Sequence, residues 1–224
     1  MKKKYIWILS LIILSVSILC FSKAMPVISS GYKMYQSAVK ENNVEKVVDN
    51  IKEKEGYFNL DTIPKDYIKE LLQSEDKRFY YHFGIDPIAT TRAMFNNVVA
   101  GSFVQGGSTI TQQLAKNMYF SFEKKLERKV AEVFVAFELE RNYSKDEILE
   151  LYLNVIYFGE GCYGVKEAAN HYYGVEPQNL NEEQIGELVF TIKSPNNYNP
   201  NVYGGKGSRT SITTELNPLT ISIR

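Results

Sequence analysis

Two glutamates lie in helix-like stretches among apolar residues, with a polar, glycine-led segment between them in the sequence. Glu75 follows an apolar helical stripe, and Glu132 lies in the run 130–139, which is apolar on nearly every side. The segment between them, residues 106–117, has the sequence GGSTITQQLAKN. A carboxylate in apolar surroundings is costly to keep charged, and such positions are typical of acid–base chemistry. We therefore predict Glu75 and Glu132 as catalytic residues.

Glu75 continues the stripe formed by Ile68, Leu71 and Leu72 at the spacing i, i+3, i+4, i+7. This spacing places the carboxylate on the apolar face of the helix. Partial burial there would favour the proton-accepting role that a general base needs near neutral pH. The alternative is a surface glutamate at a helix end, solvated together with the charged residues 76–78.

Arg128 precedes Glu132 by one helical turn. An ordinary i, i+4 ion pair is one interpretation of this spacing. The functional interpretation is that the pair lines a cleft in which Arg128 binds an anionic group.

The glycine-led turn before the second helix is a candidate phosphate site. Ser108 and Thr109 lie in this turn, where a helix N-terminus presents free backbone N–H groups that suit phosphate. Lys116 follows two turns later, beside Gln112 and Gln113, and would complete a site for pyrophosphate. We predict all five residues as substrate-binding; the alternative is a plain helix cap.

Composition excludes several other functions. Lys and Arg number 26 and Asp and Glu number 26, so there is no basic footprint for nucleic acid. The two cysteines, Cys20 and Cys162, allow no disulfide framework because one lies in an apolar N-terminal segment. His82 and His171 are separate from both, so no zinc cluster is predicted.

The N-terminal residues predict a membrane anchor. Lysines precede residues 5–22, which carry no charge, and Lys23 follows. As a helix these residues span about 27 Å, close to the hydrocarbon core of a bilayer. The flanking lysines favour a cytoplasmic tail at 1–4 and export of the remaining chain. A cleaved signal peptide is the alternative.

The remaining pattern predicts a mainly α chain. Residues 23–59 are predicted as a juxtamembrane stalk with a weak helical stripe that suits a membrane surface. Residues 84–105 are mixed, which suits a flap, a membrane-touching element or ordinary core. No convincing alternating strand pattern occurs. Helices are predicted from Pro64 to Glu75, after Gly107, at 122–141, from the capping box of Ser144 and Glu147 to about 158, at 164–173 and at 181–193, with regular structure ending at Pro195.

Together these segments resemble the peptidoglycan glycosyltransferase family, which comprises the transglycosylase domain of class A penicillin-binding proteins and the monofunctional peptidoglycan transglycosylases. The resemblance covers residues from about 60 to 200. It rests on motifs that occur in order: 75–79 with His82 and Gly84, 106–117, 128–129 with Glu132, 148–169, and 195–200.

The resemblance implies a lysozyme-like, bilobal helical fold that polymerises lipid II at the outer face of the bacterial cytoplasmic membrane. Glu75 would deprotonate the acceptor hydroxyl. Glu132, Lys116 and Arg128 would stabilise the departing pyrophosphate, with or without a divalent cation such as Mg²⁺ or Mn²⁺; no cofactor is required by the sequence. Gln112, Gln113 and Asn117 would position the donor. Lipid II, the growing glycan strand, the cytoplasmic membrane and other cell-wall synthesis proteins are the implied partners.

The chain departs from the family pattern near its end. We predict a glycosyltransferase domain at 60–203 and an atypical C-terminal tail at 204–224, with no room for a transpeptidase domain. Two alternatives stay open. One is a wall-cleaving muramidase of related fold, which needs acids and no pyrophosphate site. The other is an inactive membrane-anchored scaffold.

Overall fold

The computed structural model describes residues 2–102, 104–120 and 125–203. Within these ranges the chain is helical and forms no strand, only isolated bridges between Phe83 and Ile85 and between Tyr157 and Tyr163. The prediction of a mainly α chain is therefore confirmed. The helices are α1 Lys2–Glu41, α2 Val44–Lys52, α3 Lys65–Glu75, α4 Pro87–Ala100, α5 Ile110–Tyr119, α6 Leu126–Asn142, α7 Lys145–Val155, α8 Val165–Tyr173, α9 Glu182–Thr191, α10 Pro195–Tyr198 and α11 Pro200–Tyr203.

Local chemistry explains where these helices begin and end. Three of them start with a capping box, in which the first residue and the fourth satisfy each other's backbone N–H groups. Gly101 ends α4 in the left-handed conformation, with φ 63°. The predicted capping box of α7 is confirmed. The three boxes are Thr109–Gln112 for α5, Ser144–Glu147 for α7 and Asn181–Gln184 for α9.

Two helix boundaries differ from the prediction. Helix α7 ends at Val155, three residues before Phe158, because the chain turns into the bridged loop that starts at Ile156. Pro195 does not end regular structure; it begins α10. A proline in the first helical turn loses no hydrogen bond, since its nitrogen would be unpaired there in any case.

The core is built around α5, α6 and α7. Leu114, Leu139 and Tyr152 are fully buried in one cluster that also contains residues of α2, α3, α8 and α9. The α2 residues Val44 and Val48 are almost fully buried in the same cluster. The interpretation of this stripe as a membrane-surface face was therefore wrong, because the stripe packs against α6 and α7.

Helix α1 packs closely on α6. Gly31 lies at the contact, and a Cβ atom there would lie 2.5 Å from the Cβ of Val130. Tyr35 stacks on Phe134 with ring centroids 5.5 Å apart, and its hydroxyl donates to Glu138 at 2.8 Å. The second half of α1 is thus part of the folded domain.

The membrane prediction has a separate outcome. Across the residues that the structure describes, no helix combines the length and apolar character that crossing a bilayer requires. The transmembrane helix at residues 5–22 and the division of the chain into domains stay predictions. The side chain of Cys20 and residues 204–224 lie outside the described part.

Helix α4 exposes an apolar face. Met94, Phe95, Val98 and Val99 are each about two-thirds or more exposed, so the interpretation as ordinary core was wrong for these side chains. Asn97 holds the loop after α4, since its Oδ1 accepts from the backbone N–H groups of residues 104 and 105 at 2.8 and 2.9 Å.

Candidate active site

Glu75 is the last residue of α3 and is half-buried. Gln113 of α5 donates its Nε2–H to Glu75 Oε2 at 3.0 Å, and Ser74 donates its hydroxyl to Oε1 at 3.1 Å. These two hydrogen bonds fix the orientation of the Glu75 carboxylate. The predicted partial burial of Glu75 is observed.

Asp76 connects the end of α3 to the start of α5. Its Oδ2 accepts the backbone N–H of Ile110 at 3.0 Å, and His82 Nε2 lies 2.9 Å from the same oxygen. Both the Asp76 and His82 side chains are buried. Because Asp76 follows Glu75 directly, this contact fixes Glu75 relative to the helix that carries Gln113.

The N-terminal amides of α5 are largely engaged within the protein. Thr109 and Gln112 donate their backbone N–H groups to each other's side chains at 3.0 and 3.1 Å, and Ile110 donates to Asp76. The Thr109 hydroxyl donates to the carbonyl of Gly84 at 2.7 Å. The expectation of free N–H groups in the turn at 106–109 was therefore wrong for Thr109, and Ile110 and Gln112 of α5 are engaged as well. Direct substrate contact by Thr109 and Gln112 stays a prediction.

Glu132 lies at the centre of a cationic cluster, which we define as Lys116, Arg128, Lys129 and Glu132. The Glu132 side chain is 1% exposed; its Oε1 pairs with Arg128 at 2.5 Å and its Oε2 with Lys129 at 2.6 Å. Lys129 also donates to the hydroxyl of Ser108 at 2.8 Å. One buried carboxylate thus holds two cations beside the turn that begins α5.

Lys116 links the cationic cluster to Glu75. Burial lowers the pKa of Lys116; Glu132 and Glu75 oppose this shift, whereas Lys129 and Arg128 add to it. Lys193 has a lowered pKa for the same reason, burial, and Glu75 opposes that shift as well. Lys116 also lies one helical turn after Gln113, which holds Glu75, so Lys116 lies between the two predicted glutamates. The cluster carries three cations and one carboxylate, which suits a multiply charged anion.

Three residues of this site were not predicted from the sequence. Lys129 could have been identified by its i, i+3 spacing to Glu132. Lys193 and Tyr152 could not, because both come close to Glu75 only through the fold. Among the predicted residues, Asn117 has a buried Nδ2 that lacks a hydrogen-bond partner within the described residues. Its contact with substrate stays a prediction.

A largely apolar cavity of about 990 Å³ adjoins the cationic cluster. It runs between α4, the loop after α4 and α6, from Met94 and Val98 to Ser108 and Lys129. Its lining changes from apolar side chains to a cation, which suits an amphiphilic molecule.

A divalent cation would meet competition at this site. The two oxygens of Glu132 are each paired with a cationic side chain, and a metal there would displace one of them. Within the described residues no group of three His, Cys, Asp or Glu side chains is arranged to hold a metal ion. The divalent cation stays a prediction.

Comparison with known proteins identifies the family. A family model described as transglycosylase matches residues 41–215. The chain is 47% identical to penicillin-binding protein 1A of Aquifex aeolicus over 66% of this chain and 20% of that protein. It is 45% identical to penicillin-binding protein 1A/1B of Bacillus subtilis over 74% of this chain and 18% of that protein.

A shorter relative is the monofunctional glycosyltransferase of Staphylococcus saprophyticus, 42% identical over 76% of this chain and 63% of that protein. The chain thus spans about a fifth of the penicillin-binding relatives and under two-thirds of the monofunctional one. The resemblance predicted from the motifs is confirmed, and with it, at the level of the family, the prediction of a glycosyltransferase enzyme. The chain belongs to the transglycosylase family.

Proposed function

We propose that this chain is a peptidoglycan glycosyltransferase that polymerises lipid II into β-1,4-linked glycan and releases undecaprenyl pyrophosphate. The observation that carries the proposal is that Gln113, which holds the Glu75 carboxylate, lies one helical turn before Lys116 of the cationic cluster. A muramidase needs carboxyl groups and no such cluster. The names of the relatives support the same activity.

Glu75 is the proposed general base. It accepts the proton of the acceptor's 4-hydroxyl as that oxygen bonds to C1 of the donor sugar. The bond between C1 and the diphosphate oxygen breaks on the opposite face, so the configuration inverts. Gln113 fixes the direction of the Glu75 carboxylate by donating to its Oε2. The remaining lone pairs of the carboxylate can accept the proton.

The cationic cluster stabilises the leaving group. Negative charge grows on the diphosphate as the bond to C1 breaks, so cations already fixed in place lower the barrier most. Glu132 fixes Arg128 and Lys129 in place, and Lys116 is partly buried. The proposed contacts with the donor substrate lie in the same region and are Ser108, Gln113 and Asn117. Thr109 and Gln112 hold the turn that precedes α5.

The proposed location is the outer face of the bacterial cytoplasmic membrane, with residues 5–22 as a single anchor and a lysozyme-like, bilobal catalytic domain outside. The exposed apolar face of α4 supports contact with the lipid surface where the substrate resides. The growing glycan strand and other cell-wall synthesis proteins are the proposed partners.

Incubation of the detergent-solubilised chain with labelled lipid II tests the proposal. The wild type is expected to make glycan polymer, and Glu75→Gln almost none, since the amide cannot accept the proton. Glu55→Gln, an exposed residue in a turn, is the matched control and should polymerise as the wild type does. Shortening of added glycan would indicate a muramidase. No reaction on either substrate would indicate a scaffold.

A further inference from the structure

Tyr152 of α7 lies behind the proposed base. Its side chain is fully buried, and its hydroxyl donates to Gln113 Oε1 at 3.1 Å. The nitrogen of the same amide donates to Glu75 Oε2 at 3.0 Å. The three side chains thus form one line of hydrogen bonds from the core to the carboxylate.

We infer that Tyr152 is a positioning residue, whose hydroxyl fixes the orientation of the Gln113 amide so that the amide nitrogen points at Glu75. This inference rests on the proposed function of Glu75 as the base. It means that a buried side chain of α7 affects turnover through Gln113, without touching the substrate.

The orientation follows from the donors and acceptors available. An ionised carboxylate only accepts hydrogen bonds, so Gln113 must turn its nitrogen to Glu75 and its oxygen to Tyr152. Burial raises the pKa of the Tyr152 hydroxyl well above its ordinary value of 10.0, and the nearby Glu75 adds to this. The hydroxyl therefore keeps its proton at working pH. A flipped amide would set its oxygen against the carboxylate.

Tyr67 provides an internal control. It is also a fully buried tyrosine close to Glu75, which contributes to raising its pKa after burial itself. Its hydroxyl has no hydrogen-bond partner among the residues that the structure describes. Removal of either hydroxyl makes the same change in a core side chain, but only the Tyr152 hydroxyl is hydrogen-bonded to Gln113 among the described residues.

The test compares Tyr152→Phe with Tyr67→Phe in lipid II polymerisation. Tyr152→Phe is expected to lower kcat about tenfold, the size of one misdirected hydrogen bond, with KM within about twofold. Tyr67→Phe should stay within about twofold of the wild type, since an unpaired buried hydroxyl contributes nothing to be lost. In a Gln113→Ala background, Tyr152→Phe should cause no further loss.

An equal loss of kcat in both backgrounds, or an equal loss in Tyr67→Phe, would overturn the inference and leave the polymerase assignment intact. A wild-type chain that makes no polymer refutes the proposed function and this inference with it. A second measurement does not depend on folding of Tyr152→Phe. Exchange of the Tyr152 hydroxyl proton, followed by NMR of tyrosines labelled at Cζ, should speed up in Gln113→Ala; unchanged exchange would contradict the contact.

Discussion

Glu132 pairs both of its carboxylate oxygens with cations, so it holds the cationic cluster together. Its predicted catalytic role therefore narrows, within the proposal, to fixing Arg128 and Lys129 in place. Glu75 differs because its donors are an amide and a hydroxyl, both neutral. Two glutamates that looked alike in the sequence are thus proposed to have different roles, because their partners differ.

Under the proposed function, Lys116 is expected to make binding of the leaving group sensitive to alkaline pH. Burial lowers its pKa below the ordinary 10.5, so it loses its proton at a lower pH than an exposed lysine does. Binding of inorganic pyrophosphate, measured by calorimetry between pH 7 and 10, is expected to weaken as pH rises through this lowered pKa. Lys116→Arg should keep its charge and lose this alkaline weakening.

The comparison with Lys116→Arg also removes the titration of pyrophosphate itself, which affects both proteins equally. Lys69→Arg, at an exposed position on α3, should titrate as the wild type does. The effect of pH on folding stability has the opposite sign. Above the lowered pKa, Lys116 is deprotonated in the folded chain but still protonated in the unfolded chain. The contribution of Lys116 to the free energy of unfolding therefore rises with pH. Identical pH profiles for the wild type and Lys116→Arg would exclude Lys116 from the anion site.

At the scale of helices, the close approach of α1 to α6 at Gly31 requires a residue without a side chain. A Cβ atom at Gly31 would lie 2.5 Å from Val130 and 2.6 Å from the carbonyl oxygen of Glu127. Gly31→Ala is therefore expected to destabilise the chain by about 1–3 kcal/mol through overpacking. Thermal and denaturant unfolding in detergent measure this loss.

Ser30→Ala, at the exposed neighbouring position, is the control and should change stability by less than about 0.5 kcal/mol. A Gly31→Ala chain as stable as the control would mean that α1 and α6 do not pack in the way described. Because α6 carries Arg128 and Lys129, the same variant should also lower polymerisation.

The sequence predicts helices well where a helix start depends on neighbours in the chain. Ser144 and Glu147 are three residues apart, and their capping box was predicted and is observed. The contacts that build the site join residues far apart: Tyr152 and Gln113 are separated by 39 positions, and Asp76 and Ile110 by 34. No local pattern encodes such pairs.

The same limit explains the two wrong interpretations of apolar stripes. The stripe of α2 and the exposed face of α4 have similar composition, yet α2 is buried and α4 is not. Periodicity shows which side chains share a face, but only packing shows what that face meets.

For the whole molecule, the exposed face of α4 is expected to meet the lipid surface. Phe95→Asp and Val99→Asp should lower polymerisation of lipid II embedded in vesicles several-fold, because a charge is costly to bury among lipids. Stability should change by less than about 0.5 kcal/mol, since both side chains are exposed. The assay is run in vesicles and in detergent, with the loss expected to be larger in vesicles.

Gln178→Asp, an exposed position between α8 and α9, introduces the same charge away from α4 and should have little effect in either medium. Equal activity of the α4 variants and this control in vesicles would mean that the face does not touch the bilayer.

The unbroken α1 has a mechanical consequence. With residues 5–22 as the proposed anchor, Ser22 and Gly31 are nine positions apart, a rise of about 14 Å along a helix. Pro26 lies inside this stretch and removes one backbone hydrogen bond there, but the helix continues through it and sets the height of the catalytic domain above the lipid. Deleting one residue from it would turn the catalytic domain by roughly 100° about the helix axis while bringing it only about 1.5 Å closer to the lipid.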